Sequence, residues 1–137
     1  MKNRIEVEIT VHSTLEKVWD FWNNPAHIVN WYFASDDWYA PLSENDLQAA
    51  GKFKTTMSAK DGSFSFDFTG EYTKVEPMKE IEYEITGGRK VQISFVKLED
   101  GVKVIEKFEP ETENTLEIQK TGWQSILNNF KKLVENS

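Results

Sequence analysis

Alternation of apolar and polar residues marks the start of the chain and much of its second half. Residues 4–11, RIEVEITV, carry isoleucine or valine at every second position, which is typical of a strand with one buried face. The same period of two continues in five later segments: 51–60, 63–75, 79–86, 90–99 and 102–109. The turn signals between them are Asp61-Gly62, Pro77-Met78, Gly87-Gly88 and Asp100-Gly101. Sequential strands joined by tight turns predict an antiparallel meander.

Helical periodicity appears before and after this meander. Residues 13–16, STLE, form a capping box and predict a helix whose apolar face contains Leu15 and Trp22. Asn24-Pro25 ends that helix and starts a short second helix, which we expect to run to about Trp31. A long helix is predicted from about Thr115 to Val134. Its apolar stripe consists of Trp123, Ile126, Leu127, Phe130, Leu133 and Val134.

The order of elements defines a fold class. Residues 34–50 are irregular and are interpreted as a loop or a short edge strand. The apolar faces of the meander and the last helix each need cover, and the simplest solution is that they cover each other. We therefore expect an α+β helix-grip fold, with a curved antiparallel sheet of about six or more strands around the C-terminal helix. A length of 137 residues without linker, repeat or low-complexity segment indicates one domain, 1–137.

Composition narrows the classes of function. The net charge of −7 repels phosphate backbones, so we expect no nucleic-acid partner. No apolar stretch reaches the ~20 residues of a membrane span, and the N-terminus lacks the layout of a signal peptide, so we expect no membrane insertion and a cytoplasmic location. The chain contains no cysteine, and His12 and His27 are not spaced for chelation. Nucleotide-binding and hydrolase motifs are also absent, so we expect no cofactor and no metal.

Several short motifs resemble a known family. They are Lys17-Val18-Trp19, residues 24–28 (NPAHI), residues 61–63 (DGS), residues 66–72 (FDFTGEY) and residues 122–127 (GWQSIL). Their order is similar to that of the START-like, birch-pollen-allergen-like (SRPBCC) superfamily, and within it to the homologues of the heat-shock chaperone ATPase activator. The chain departs from the family before the second strand, where residues 46–51 read DLQAAG instead of an Arg with paired glycines. The resemblance implies a helix-grip fold with a cavity for a small apolar molecule.

Aromatic side chains form the strongest candidate site. Eight of them are expected to converge between sheet and helix: Trp31, Trp38, Phe53, Phe66, Phe68, Tyr83, Phe95 and Trp123. Thr55, Glu106 and Leu127 complete the predicted ligand-binding set. The alternative is that these aromatic rings simply fill the core. Gly122 has two readings as well, because a helical glycine provides either close packing on the sheet or room for a ligand.

Glu106 is the one carboxylate that the strand pattern directs inward. It shares parity with Val104 and Phe108, so it faces the core if they do. A buried carboxylate is costly and would then be a polar anchor or a group with a raised pKa. The alternative is that a bulge or the edge of the sheet places Glu106 in water. It is the weak candidate for a catalytic residue.

Three functions remain open at this stage. The first is a non-enzymatic binding protein, monomeric or homodimeric, for a small hydrophobic or amphipathic molecule. The second is a chaperone-associated, stress-response module that contacts a protein partner through an exposed Trp38-Tyr39 loop. The third is an enzyme of the cyclase or dehydratase kind, in which Glu106 would act as acid or base.

Overall fold

The computed structural model describes residues 4–137 and contains seven strands in one antiparallel, curled half-barrel sheet. The strand order across the sheet is β1-β7-β6-β5-β4-β3-β2. The strands are β1 (Ile5–Val11), β2 (Trp38–Asn45), β3 (Lys52–Ala59), β4 (Ser65–Glu76), β5 (Glu80–Ile85), β6 (Lys90–Lys97) and β7 (Val102–Phe108). Strands β3 to β7 are neighbours in chain order, so the predicted meander is confirmed, and β7 pairs with the first strand to complete the sheet.

The helices are α1 (Leu15–Asn23), α2 (Pro25–Ile28) and α3 (Leu116–Glu135). The prediction of a capping box beginning at Ser13 was wrong by one residue. The hydroxyl of Thr14 accepts the backbone N–H of Lys17, while the N–H of Ser13 is used in a turn with the carbonyl of Val11. The N-cap role of Asn24 is confirmed. The second helix is shorter than expected, because helical geometry ends at Ile28 and turns lead to Trp31.

Residues 38–45 settle the choice between loop and edge strand in favour of the strand. β2 is eight residues long and lies at the free edge of the sheet, paired only with β3. The pairing register between β2 and β3 shifts between Tyr39 and Leu42, and Pro41 lies within this irregular stretch. Proline cannot donate to a ladder and is tolerated at edges and bulges, which accounts for both the position and the irregularity.

The inner face of the sheet packs on α3, as the two apolar faces predicted. Leu127, Phe130 and Val134 in the C-terminal half of this helix are fully buried. The ring of Phe130 meets Trp22 of α1 and Trp31 at centroid distances of 4.9 and 4.8 Å. This end of the half-barrel is therefore filled by side chains from α1, α2 and α3.

The free edge of β1 is covered by α3. The side-chain amide of Gln124 donates to the carbonyl of Glu8 at 3.1 Å, and the ammonium of Lys131 donates to the carbonyl of Thr10 at 2.5 Å. Unpaired carbonyl groups on an edge strand are a template for pairing with another chain. These two bonds use carbonyl groups at the free edge of β1, and they fix the orientation of α3 across the sheet.

Candidate functional site

An apolar cavity of about 390 Å³ lies between the sheet and the N-terminal half of α3. Residues of α3 line one side, spaced so that they share one face of the helix: Ile118, Gln119, Gly122, Trp123 and Ile126. The opposite wall comes from Met57 of β3, Phe66 and Phe68 of β4, and Glu106 of β7. This volume is within the range of small-molecule sites.

Glu106 lies inside this cavity, and the alternative that a bulge or sheet edge exposes it is wrong. Strand β7 lies between β1 and β6, with Glu106 paired to Val7 and Ile93 in continuous registers. The side chains of β7 alternate strictly between buried and half-buried, so Glu106 follows Val104 and Phe108 inward. Only 4% of Glu106 is exposed.

Burial changes the acidity of Glu106. A carboxylate loses hydration free energy in a low-dielectric site, so the neutral acid is favoured. Burial raises the pKa of Glu106 to about 8. No ion pair or hydrogen bond to Glu106 is found within residues 4–137. At neutral pH the group is therefore mainly a neutral carboxylic acid.

Two tyrosines lie near this carboxyl group. Burial, and then the charge of Glu106, raise the pKa of the Tyr32 hydroxyl. Burial is also the largest cause of the raised pKa of Tyr83, followed by the effects of Tyr32 and Glu106. The hydroxyl groups of Tyr32 and Tyr83 lie close enough for each to affect the pKa of the other. Both phenols keep their protons at neutral pH and are hydrogen-bond donors.

Trp123 forms a fixed part of the wall. Its ring stacks on Phe108 of β7 with centroids 3.8 Å apart and planes 9° apart. It also forms a T-shaped contact with the ring of Phe68, at a centroid distance of 6.4 Å. Both Trp123 and Phe68 line the cavity. An aromatic ring held from two sides has few alternative rotamers, so this part of the wall is preorganised.

Gly122 lies on the cavity-lining face of α3. The structure decides whether this glycine permits close packing on the sheet or leaves open space. A Cβ atom added at Gly122 would meet no atom within 4 Å outside its own helical surroundings. Close packing on the sheet therefore does not explain the glycine. The missing side chain leaves space that belongs to the cavity.

The structure brings together five residues of the predicted ligand-binding set around the cavity: Trp38, Phe66, Phe68, Glu106 and Trp123. Phe53, Thr55 and Tyr83 line a separate recess of about 40 Å³, which has room for water but not for a ligand of any size. Tyr32 and Phe68 line both spaces.

Three other predicted site residues lie in the packed core and do not line the cavity: Trp31, Phe95 and Leu127. The ring of Phe95 packs against Trp19 at 5.1 Å and Trp22 at 5.8 Å, because α1 covers that end of the sheet. Trp31 and Leu127 are enclosed at the same end, where the C-terminal half of α3 packs.

Several lining residues have no counterpart in the sequence-based set. Tyr32, Phe33, Arg89, Glu111, Asn114, Ile118, Gln119 and Ile126 also border the cavity. Ile118, Gly122 and Ile126 recur every four residues of α3. This spacing could have indicated that these positions share the face of the helix that lines the cavity. Tyr32 and Arg89 lie outside the helices and strands, and no periodic pattern places such a residue against a cavity.

Gln119 shows how the loop before α3 is held at the mouth. Its side-chain amide donates to the carbonyl groups of Glu111 and Asn114 and accepts the N–H of Glu111. These bonds use the polar atoms of Gln119 within the protein. Gln119 therefore supports the wall, whereas the carboxyl of Glu106 is left facing the cavity.

A depression of about 530 Å³ elsewhere on the surface is lined mostly by charged and polar side chains, including Lys52, Lys54 and Glu71. Among residues 4–137 no cluster of three or more potential ligands is arranged to hold a metal ion. No helix in that part of the chain has the length and apolarity needed to cross a membrane.

A curled antiparallel sheet closed by a long C-terminal helix, with an apolar cavity between them, defines the START-like helix-grip class. Residues 12–135 match the family described as "Activator of Hsp90 ATPase homolog 1-like protein". The chain belongs to this family, as the motifs in its sequence indicated.

Solved structures agree with this assignment. The AHSA1-like protein of Aeromonas hydrophila is 41% identical, with a TM-score of 0.92 over 98% of this chain and 93% of that protein. A Cytophaga hutchinsonii protein is 52% identical, with a TM-score of 0.84 over 97% and 92% of the two chains. A Chromobacterium violaceum protein at 22% identity and a TM-score of 0.86 shares the fold over 97% and 98% of the two chains. None of the functionally curated proteins compared with the chain matches it.

Proposed function

We propose that this protein binds a small hydrophobic or amphipathic molecule in the cavity beside α3. The observation that carries the proposal is an aromatic-walled space of about 390 Å³ that encloses a single buried carboxyl group. Apolar walls with a few convergent polar groups are the usual composition of small-molecule sites. Affinity would come from burial against Trp123, Phe68 and Ile126, and orientation from Glu106.

The mouth of the cavity suits an amphipathic ligand. Ile118 at the mouth is 59% exposed and Phe66 is 41% exposed, so apolar surface continues from the interior to the rim. Arg89 also borders the space, and its guanidinium donates to the backbone carbonyl of Glu109. A ligand could therefore bury an apolar body while a polar end stays near solvent.

Gly122 provides the test. N-phenyl-1-naphthylamine, a neutral probe that fluoresces in apolar sites, should bind the wild-type protein saturably. Gly122→Leu adds a branched side chain to open cavity space, and we expect it to weaken probe binding at least about 10-fold, by loss of roughly 1.4 kcal/mol. Gly122→Ala adds one methyl group and should change the affinity much less.

Lys120→Leu is the matched control for the leucine variant. Lys120 is exposed on α3 and does not line the cavity, so its replacement adds a leucine to the same helix without filling the site. We expect normal binding. If Gly122→Leu and Lys120→Leu both bind the probe like the wild type, the probe occupies another place and the proposal is wrong.

A second candidate function is partner recognition by exposed aromatic residues. Phe64 is 59% exposed and contacts Trp38 at a centroid distance of 6.1 Å, while Phe66 contacts Trp38 at 6.0 Å. Trp38, Phe64 and Phe66 are called the aromatic rim here. Exposed rings of this kind often anchor protein interfaces, and the family description supports a heat-shock chaperone as the partner.

Phe64 allows the aromatic rim to be tested separately from the cavity, because Trp38 and Phe66 also line the cavity and Phe64 does not. If the protein stimulates the ATPase activity of the heat-shock chaperone from its own cell, Phe64→Ser and Trp38→Ala should abolish the stimulation. Leu98→Ser is the control, because Leu98 is 36% exposed in the β6–β7 turn and lies outside the rim. Wild-type protein that leaves the ATPase rate unchanged would contradict this candidate.

A further inference from the structure

The cavity contains an unused hydrogen-bonding group. Among the described residues, the buried polar side chains of the protein are Asn23, Thr55, Glu106 and Gln119. Three of them are bonded inside the protein: Asn23 to the carbonyl of Trp19, Thr55 to the hydroxyl of Ser43, and Gln119 to the loop before α3. Glu106 has no such partner in residues 4–137 and borders the cavity. No fully enclosed side-chain atom of the described residues lacks a hydrogen-bond partner, so the unpaired carboxyl oxygens are open to the cavity. A polar group that faces an apolar cavity without a protein partner points to a ligand that pairs with it.

The neighbours of Glu106 supply a second donor. The hydroxyl groups of Tyr32 and of Tyr83 on β5 influence each other's pKa, and burial keeps both phenols protonated at neutral pH. A phenol hydroxyl can donate and accept at the same time, so Tyr32 can donate its proton to an acceptor in the cavity while it lies beside Tyr83. Tyr32 borders the cavity, and the charge of Glu106 acts on it directly. The carboxyl and the phenol therefore act on the same region.

The charged and titratable groups around the site leave the Glu106 carboxyl and the Tyr32 hydroxyl available as hydrogen-bond donors. The titratable groups nearest Glu106 are Tyr32, from the segment between α2 and β2, and Tyr83 from β5, and the charge of Tyr72 on β4 also raises the pKa of both. Helix α3 contributes Gln119 and Trp123 to the cavity, neither of which titrates. Arg89 and Glu111 are the other charged residues bordering it, and neither forms an ion pair with Glu106 within the described chain.

We propose that the cavity selects apolar molecules with a carbonyl oxygen at the buried end, which accepts hydrogen bonds from the Glu106 carboxyl and the Tyr32 hydroxyl. A carboxylic acid kept neutral by an apolar site is a recognised donor to such an oxygen. The inference rests on the proposed binding function and specifies the chemical class of the ligand. A site with unpaired buried donors rejects analogues that lack the acceptor.

Two isosteric probes isolate the carbonyl. Calorimetry would compare 2-acetylnaphthalene with 2-isopropylnaphthalene, which has a methyl group in place of the oxygen. At pH 6 the wild-type protein should bind the ketone at least about 3- to 10-fold more tightly, since one neutral hydrogen bond supplies that ratio and two donors are available. At pH 9 the carboxylate no longer donates, so the ratio should fall several-fold, to about the 3-fold that the Tyr32 hydroxyl alone supplies.

Variants assign the preference to side chains. Glu106→Gln keeps an N–H donor that does not titrate, so its preference for the ketone should persist at both pH values. Glu106→Met has a similar length and no donor, so its preference should be reduced several-fold at pH 6. Tyr32→Phe should also reduce the preference, by about 3-fold, while isopropylnaphthalene binding stays close to that of the wild type.

The possible outcomes distinguish the proposed binding function from the proposed preference for a carbonyl oxygen. If neither probe binds the wild type, both the binding function and this inference fail. If both probes bind equally and Glu106→Met changes nothing, the binding function stands and the carbonyl preference is wrong. A third probe, (2-naphthylmethyl)trimethylammonium, carries a fixed cation. If it binds more tightly than the ketone at pH 6 and its affinity rises further at pH 9, the site recognises cations and the inference is overturned.

Discussion

The ring of Trp123 on α3 lies parallel to the ring of Phe108 on β7, with centroids 3.8 Å apart. Phe108 is fully buried, whereas Trp123 is half-buried and borders the cavity. The pair therefore joins the packed core of the sheet to the cavity-lining part of the helix. Glu106 lies two residues before Phe108 on the same face of β7, so the stacked pair also fixes the wall beside the carboxyl group.

The stacked pair leads to a prediction about stability. Trp123→Ala should lower the free energy of unfolding by roughly 2–4 kcal/mol, since a large ring and its packing partners are lost. Trp123→Phe keeps a ring over Phe108 and should cost less than half as much. Urea unfolding followed by far-UV circular dichroism would measure both. A Trp123→Ala variant within about 0.5 kcal/mol of the wild type would show that the pair contributes little, a change typical of ordinary surface sites.

A second prediction concerns the pH dependence of stability. Glu106 keeps its proton in the folded protein up to about pH 8, whereas the usual pKa of 4.5 applies in the unfolded chain. Between these values the folded state binds more protons, so the contribution of Glu106 to the free energy of unfolding falls as pH rises. Glu106→Gln removes this titration. The variant should gain about 1.4 kcal/mol relative to the wild type for each pH unit between 5 and 8, then reach a plateau.

Urea unfolding at one-unit steps from pH 5 to pH 9 would measure this difference. Glu99→Gln is the control, because Glu99 is exposed in the turn between β6 and β7. Its stability should stay parallel to that of the wild type throughout. Parallel curves for Glu106→Gln as well would mean that Glu106 titrates normally, and hence that its side chain is hydrated.

A third prediction concerns a short chain of hydrogen bonds between the sheet and α1. The hydroxyl of Tyr72 donates to the side-chain oxygen of Asn45 at 2.6 Å, and the amide of Asn45 donates to the carbonyl of Asn23 at 2.7 Å. Asn45→Ala leaves the buried Tyr72 hydroxyl without this partner. It should lower the free energy of unfolding by about 1–3 kcal/mol.

A double-mutant cycle tests whether the effect comes from the unpaired hydroxyl. In the Tyr72→Phe background no hydroxyl is stranded, so Asn45→Ala should cost about 1 kcal/mol less there than in the wild type. Thermal or urea unfolding of the four proteins gives the coupling free energy. Additive effects of the two substitutions would contradict the hydrogen-bond account.

A fourth prediction concerns the intrinsic cost of Gly122. Alanine is favoured over glycine by about 1 kcal/mol in a helix interior, and the structure leaves open space for the added methyl group. Gly122→Ala should therefore raise the free energy of unfolding by about that amount. A loss of stability in thermal unfolding would mean that the position is packed, and that the cavity does not reach Gly122.

Periodicity predicted most of the fold because each strand has only one face to bury. The parity of β7 even placed Glu106 beside Val104 and Phe108, but a bulge could have reversed that placement. Only the pairing of Glu106 with Val7 and Ile93 excludes a bulge, and pairing across strands is a tertiary property.

The contents of the site were harder to predict, for a physical reason. Aromatic residues of the core and of the cavity wall have the same spacing, so Phe95 and Phe68 look alike in the sequence. Helix α1 fills one end of the half-barrel around Phe95 and leaves the other end open near Phe68. Which end a helix covers depends on the direction in which the chain leaves β1. The position of Tyr32 depends in the same way on the turns after α2.

The central claim is that the cavity holds a small molecule, and native mass spectrometry tests it most directly. The protein would be purified from its own cells beside Gly122→Leu, with denatured extracts analysed in parallel. The account predicts a reproducible extra mass on the wild type, released on denaturation and absent from Gly122→Leu. An extra mass that persists on Gly122→Leu, or a bare wild-type protein that also fails to bind N-phenyl-1-naphthylamine, would contradict it.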